Sequence, residues 1–296
     1  MKQSIFRFTQ DATIPLNDQM HAFLTHPALE AFYDYLKVDK GNPFARFKDF
    51  NQKYNLREIK DKNGDMTIIP EQCIQTNPYI LDAQQVRSQL YQCLTQLGFF
   101  SSFESRLDNP SHLVVLGGPL LSNKERMEFA KTIDTDSISF IYALGCKREI
   151  LELERQVCPS LAKTEFESLC ECVETTFNIT EFIDMNPQIR KYPYKEKEIF
   201  VLSAPSSKKD YRADTLDTLH YFEKISHVHK DSQILFITHP GLVNGHGLTI
   251  YQWAKNLPFQ VDVIGCQKES TEANYSIARM CQYMIRILRQ ICKENL

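Results

Sequence analysis

The sequence predicts an α/β protein, a doubly wound three-layer sandwich around a mostly parallel sheet of about five strands, with a helical N-terminal extension. Three observations predict it. Short apolar, β-branched runs recur at 112–117, 137–144, 198–203, 233–238 and 260–265. Helix-like segments of crossover length lie between them, at 123–132, 147–157, 164–177, 213–224 and 249–256. The first third of the chain contains no such runs, so a closed eight-stranded barrel would lack three of its strands.

Residues 1–105 read as a mainly helical cap and 106–296 as a Rossmann-like α/β domain. In the cap, Leu16, Met20, Phe23 and Leu24, then Phe32, Tyr35 and Leu36, space apolar side chains as helices do. Pro27 either interrupts that stretch or opens its second helix. The segment 38–80 is polar and turn-rich, with Asn63-Gly64 as its strongest turn signal. Val86, Leu90, Cys93, Leu94 and Leu97 predict a helix over 83–98. The longest predicted helix, about 271–292, places Ile277, Cys281, Met284, Leu288 and Ile291 on one face. Thr164, Glu165 and Glu167 suit a helix start, as do Asp214 and Thr215, because an oxygen cap and early acids satisfy free amides and the helix dipole.

Composition narrows the function classes. Lys plus Arg number 34 against 37 Asp plus Glu in 296 residues, so no overall basic character points to a nucleic-acid partner. Nine irregularly spaced cysteines, mostly within apolar segments, read as reduced buried thiols rather than a disulfide framework. Cys170 and Cys172 lie two apart on a predicted helix and so face different ways, which disfavours a shared metal. The N-terminus lacks the apolar core of a signal peptide, and no apolar run reaches the roughly 18 residues of a bilayer span. These features lead us to expect a cytoplasmic protein without a transmembrane segment, or one translocated by a route without a classical signal peptide.

Open parallel sheets bind ligands beyond the carboxyl ends of their strands, so four loops draw attention. Gly117-Gly118-Pro119 allows close backbone approach or an unusual dihedral, and the following helix start offers free amides. It matches neither the dinucleotide fingerprint nor a P-loop, and simple turn geometry also explains it. The loop after Gly145 carries Lys147 and Arg148; Arg148 is either a bidentate anion partner or part of a solvated helix start. The loop after 203 brings Lys208, Lys209 and Arg212 to a helix entry with Asp214, Thr215, Asp217 and Thr218, where ligand contact and ordinary capping both fit. The fourth runs from Thr238 through His239 and Asn244 to His246. His239, directly after a strand, suits a general acid or base, and capping of the strand end is its bland alternative. Zinc-site spacing and the G-x-S-x-G elbow are absent, so we expect neither a metal centre nor a serine hydrolase, and no cofactor is singled out.

The order VVLGG at 114–118, Arg126, TEF at 164–166, RADTLDT at 212–218 and ILFITH at 234–239 resembles the SanA/YdcF-like bacterial domain family, over about residues 112–292. The resemblance implies a doubly wound α/β fold and a nucleotide-like or methyl-donor-like ligand. By position, the family's glycine pair falls on Gly117 and Gly118, its helix arginine on Arg126 and its acidic residue on Glu165. Its helix entry falls on Asp214 and Thr215, with Asp217 or Thr218 next, and its threonine and histidine on Thr238 and on His239 or His246. The second glycine pair is reduced to Gly145, and no arginine follows His239.

Together these readings predict a cleft that binds a small anionic or nucleotide-like metabolite. Gly117, Gly118, Arg148, Thr215, Thr218 and Thr238 would contact the ligand, and His239, Glu165 and Asp214 would serve hydrolysis or group transfer. A different class of function is an interaction module that keeps the fold and presents residues 1–105 to a protein partner. An open polar cleft favours the first, and a closed cleft beside an apolar patch the second.

Overall fold

Spacings of three and four between apolar residues shape the first third of the chain. The computed structural model describes residues 5–10, 13–54, 59–60, 66–67, 77–208, 212–266 and 276–294. The Asn63-Gly64 turn, Cys73 and Lys209 lie outside the described residues. The chain divides into two compact units, one of 1–101 with 269–296 and one of 102–268.

The first unit contains α1 (Leu16–Leu24), α2 (Pro27–Tyr35), α3 (Pro43–Tyr54), a short antiparallel pair β1 (Ile59–Lys60) and β2 (Met66–Thr67), α4 (Pro78–Ala83) and α5 (Arg87–Gln96). Pro27 opens α2 instead of interrupting a helix; His26 caps it by accepting the Ala28 amide at 3.1 Å. The turn-rich reading of 38–80 overlooked α3. Its buried residues, Arg46, Phe50 and Tyr54, recur every four positions, but a charged residue stands in the first of them. Arg46 is accommodated there by Glu30 at 2.5 Å and by the Tyr33 ring at 4.4 Å. The C-terminal helix, Ile277–Glu294, belongs to this unit, whereas the sequence reading assigned it to the α/β part. Its predicted face of Ile277, Cys281, Met284, Leu288 and Ile291 is buried, and Gln282 Nε2 donates to the Tyr54 carbonyl.

The second unit is an α/β fold whose central mixed sheet is flanked by helices. In chain order it runs β3 (His112–Leu116), α6 (Leu120–Thr132), β4 (Phe140–Cys146), α7 (Glu152–Val157), α8 (Glu165–Phe177), β5 (Ile183–Asn186), β6 (Ile189–Tyr194), β7 (Lys197–Ala204), α9 (Thr215–Ile225), β8 (Gln233–Thr238), α10 (Val243–Ala254) and β9 (Gln260–Gly265). The strand order is β5-β6-β7-β4-β3-β8-β9, with β7, β4, β3, β8 and β9 parallel. These five are the five apolar runs. The sheet has seven strands, not about five, because the antiparallel hairpin β5–β6 extends it. That hairpin carries no apolar run: every β5 residue is exposed, and β6 contains Pro193.

One face of the sheet presents Leu113, Val115, Ile141, Ala143, Ile199 and Val201 to Met127 and Ala130 of α6 and Leu169 and Val173 of α8. On the other, Tyr142 and Phe236 meet Phe222 of α9, and Phe236 also meets Trp253 of α10. Burial on both faces explains why the strands read as continuous apolar runs without alternation. The chain moves outward from β3 through β4 to β7, then returns to the far side of β3 for β8 and β9. Among the described residues no helix is long and apolar enough to cross a membrane. The eight described cysteines are free thiols.

Candidate functional site

Strand register places the predicted loops along one edge. Leu116 lies opposite Leu144, Leu144 opposite Leu202, Val115 opposite Ile237, and Thr238 opposite Gly265. Gly117, Cys146, Ala204 and His239 therefore all emerge at the carboxyl edge, where strand order reverses beside β3.

The glycine pair is required there by crowding. A Cβ on Gly117 would stand 2.5 Å from Glu165 Oε1 and 2.6 Å from the Leu144 carbonyl oxygen. On Gly118 it would meet Arg126 Nη1 at 3.1 Å. Neither glycine adopts a positive φ, so close approach is the operative reason. Arg126, only 1% exposed, donates from Nη1 to the carbonyls of Leu116 at 2.5 Å and Gly117 at 2.8 Å. Its charge thus clamps the backbone of the loop.

Glu165 opens α8 behind the capping residue Thr164, whose hydroxyl accepts the Glu167 amide at 3.2 Å. The Glu165 amide donates to the Arg148 carbonyl at 2.8 Å, tying the helix start to the loop after β4. Its side chain is buried against Gly117. The Cys146 thiol donates to Glu165 Oε2 at 3.0 Å, and Arg148 Nε stands 3.8 Å from the same oxygen. Burial raises the carboxyl above its ordinary pKa, opposed by the Cys146 hydrogen bond and by the charges of Arg148, Arg212 and Arg126. The Cys146 thiol is pushed up to about 12 by burial and by the nearby Glu165. At neutral pH it is a hydrogen-bond donor rather than a thiolate nucleophile.

Arg148 links this carboxyl to open space. Its guanidinium grips Glu154 at 2.5 and 3.2 Å and donates to the Gly118 carbonyl at 3.1 Å. Beside it lies an open cavity of about 430 Å³, lined by Cys146, Lys147 and Arg148 after β4, Ala204 to Ser206 after β7, Arg212 and Ala213 before α9, and Gln188. Lys147 and Arg212 also line the cavity, and the charge of Arg212 reaches the Glu165 carboxyl.

The other predicted residues occupy different settings. Asp214 caps α9: its carboxylate accepts the Leu216 and Asp217 amides at 2.9 and 3.1 Å, and Asp217 returns the bond in a capping box. Thr215 opens that helix, and Thr218 Oγ1 donates to the Thr215 carbonyl at 2.7 Å. Asp214, Thr215 and Thr218 thereby hold the helix whose preceding residues form the cavity wall. The predicted fourth loop is mostly helical. A 3-10 turn, Pro240–Leu242, leads directly into α10, so Asn244 and His246 sit on its first turns, with Asn244 buried. Thr238 is buried and pairs with His246 Nδ1 at 2.7 Å, while His239 Nδ1 accepts the Gly241 amide at 3.2 Å. The structure gathers Gly117, Gly118, Arg126, Arg148 and Glu165 into one cluster. Thr238 and His239 stand at the end of β8, on the opposite side of β3 from the cavity strands β4 and β7.

Glu154 and Gln188 went unrecognised in the sequence. Glu154 is one of two acids on a six-residue helix, and Gln188 lies in the turn of the unrecognised hairpin. Among the described residues no three His, Cys, Asp or Glu side chains are placed to hold a metal. No protein-family model matches the chain, and no curated protein matches it.

Proposed function

We propose that the unit of residues 102–268 is a doubly wound α/β domain that binds a small anionic or nucleotide-like metabolite at the carboxyl edge of its sheet. The carrying observation is an open cavity of about 430 Å³ whose lining includes Lys147, Arg148 and Arg212, with the Glu165 carboxyl buried behind Arg148 and Cys146. Its volume lies within the range of roughly 300–1,000 Å³ typical of small-molecule sites. Three cations would neutralise phosphate or carboxylate groups, Arg148 and Arg212 by fork-like hydrogen bonding. Gln188 and Ser206 are polar partners for the rest of the ligand.

For hydrolysis or group transfer on such a ligand, Glu165 is the best-equipped proton-handling group. Burial favours its protonated form and the neighbouring cations oppose that preference, so its charge would respond to the loss or gain of an anion beside Arg148. Asp214 then acts through position, by capping α9. The meeting of Gly117, Gly118, Arg126 and Glu165 also supports the SanA/YdcF-like resemblance, since these separated motifs form one contact network.

A thermal-shift screen against nucleotides, sugar phosphates, S-adenosylmethionine and divalent metals tests this reading. We expect stabilisation by a phosphate-bearing compound, reaching about 2.7 kcal/mol at a hundred times its Kd. Arg212→Glu alters an exposed side chain and should abolish that response without lowering the melting temperature of the free protein. No response from any compound, or an equal one in the variant, would overturn the proposal.

A further inference from the structure

We propose that Glu154 is an internal anion that latches the loop 149–164 over the cavity arginine, and that an incoming phosphate displaces it. This inference rests on the binding reading above and adds its regulation.

The loop has a fixed neck. Glu149 and Thr164 form a β-bridge, the Ile150 amide donates to the Lys163 carbonyl at 2.9 Å, and the Glu165 amide donates to the Arg148 carbonyl at 2.8 Å. Ile150 and Ala162 are buried at that neck. Beyond it the loop is held together by Arg155, which donates to the carbonyls of Ile150 and Ala162, and its far limb is tied to α8 by Ser160 and Glu171. Among its described apolar side chains beyond the neck, Leu151 is 43%, Val157 68% and Leu161 94% exposed.

The near limb, α7, is held by Glu154. One carboxylate oxygen meets Arg148 Nη1 at 2.5 Å, and the other meets Arg148 Nη2 and the Leu120 amide, both at 3.2 Å. A planar oxyanion thus occupies both prongs of a guanidinium that lines the cavity, together with an amide of the glycine-rich loop's helix. A phosphate presents the same arrangement of oxygens with greater charge, so it can replace Glu154 on Arg148 while Lys147 and Arg212 add attraction the carboxylate lacks. Binding and release of α7 are then one event, and closure by Glu154 lowers the apparent affinity by the fraction of molecules that are unlatched.

The test compares wild-type protein with Glu154→Gln, using inorganic phosphate as the probe and calorimetry as the readout. Losing the carboxylate charge should lower the Kd for phosphate about ten-fold. In a second measurement that needs no variant, phosphate should accelerate tryptic cleavage after Arg155, on α7, in wild-type protein. Equal or weaker phosphate binding by Glu154→Gln, or cleavage indifferent to phosphate, overturns the latch and leaves the binding site standing. Failure of both proteins to bind phosphate overturns the site and the latch together.

Discussion

Each end of the five-residue strand β3 meets a buried ionisable side chain, and the two are surrounded in different ways. At the carboxyl end Glu165 is buried against Gly117; burial raises its pKa, and three arginines and a thiol oppose that rise. At the amino end His112 is 1% exposed and stacked on Phe140 and Tyr142, with Ser111 Oγ at 2.8 Å from its Nδ1. Burial pushes the His112 pKa down to about 4, so the ring is neutral at physiological pH. One edge thus places cations around its buried acid, beside open space. The other excludes charge and packs. Burial of a titratable side chain alone therefore does not mark a site; compensating charges next to a cavity do.

The largest effect expected from breaking this comparison is Gly117→Ala. The new methyl group collides with a backbone oxygen as well as with Glu165, so it should destabilise the second unit by about 3 kcal/mol. Urea denaturation followed by the fluorescence of Trp253, the only tryptophan and a residue of that unit, reads it directly.

Next is the response of the amino edge to acid. Because the folded-state pKa of His112 lies below its unfolded value of 6.5, the unfolded chain binds more protons between those values, and stability falls as pH drops through that window. Between pH 6.5 and 4.5 the loss from this residue should be about 2 kcal/mol. His112→Phe should remove that portion of the pH dependence; a variant with an unchanged slope would show that His112 is not the group responsible. The smallest effect is expected at Asp214→Ala, which removes a helix cap and should cost about 1 kcal/mol. Ligand affinity should change little, and a complete loss of binding with the fold intact would return Asp214 to the site.

The two edges also differ in how well they could be read. The five parallel strands were legible because residues such as Val114, Ile141, Val201 and Phe236 are buried between helices on both faces and leave continuous apolar runs. The hairpin was not, since Ile183, Asp184, Met185 and Asn186 face solvent and carry no burial signal. Helix α3 escaped because a salt bridge and a ring make Arg46 a core residue. Gly245 and Gly247 disguised the first turns of α10 as a loop, although its later part falls within the predicted helix 249–256; the helix continues through both glycines, with Gly247 packed near the Tyr251 ring. At the candidate site, loop position alone flagged Gly117, Gly118 and Arg148. Glu165 looked like a helix-start acid and was picked out only through the family resemblance. Its burial depends on Leu144, Cys146 and Arg148, distant in sequence, and no local pattern records them.

Backbone amide chemical shifts during phosphate titration test the central claim most directly, because both ends of β3 report in one experiment. We predict saturable shifts at Gly118, Leu120, Lys147, Arg148 and Ala213, with His112 and His227 unmoved. Shifts centred on the amino edge, or none at the carboxyl edge at saturating phosphate, would contradict the account.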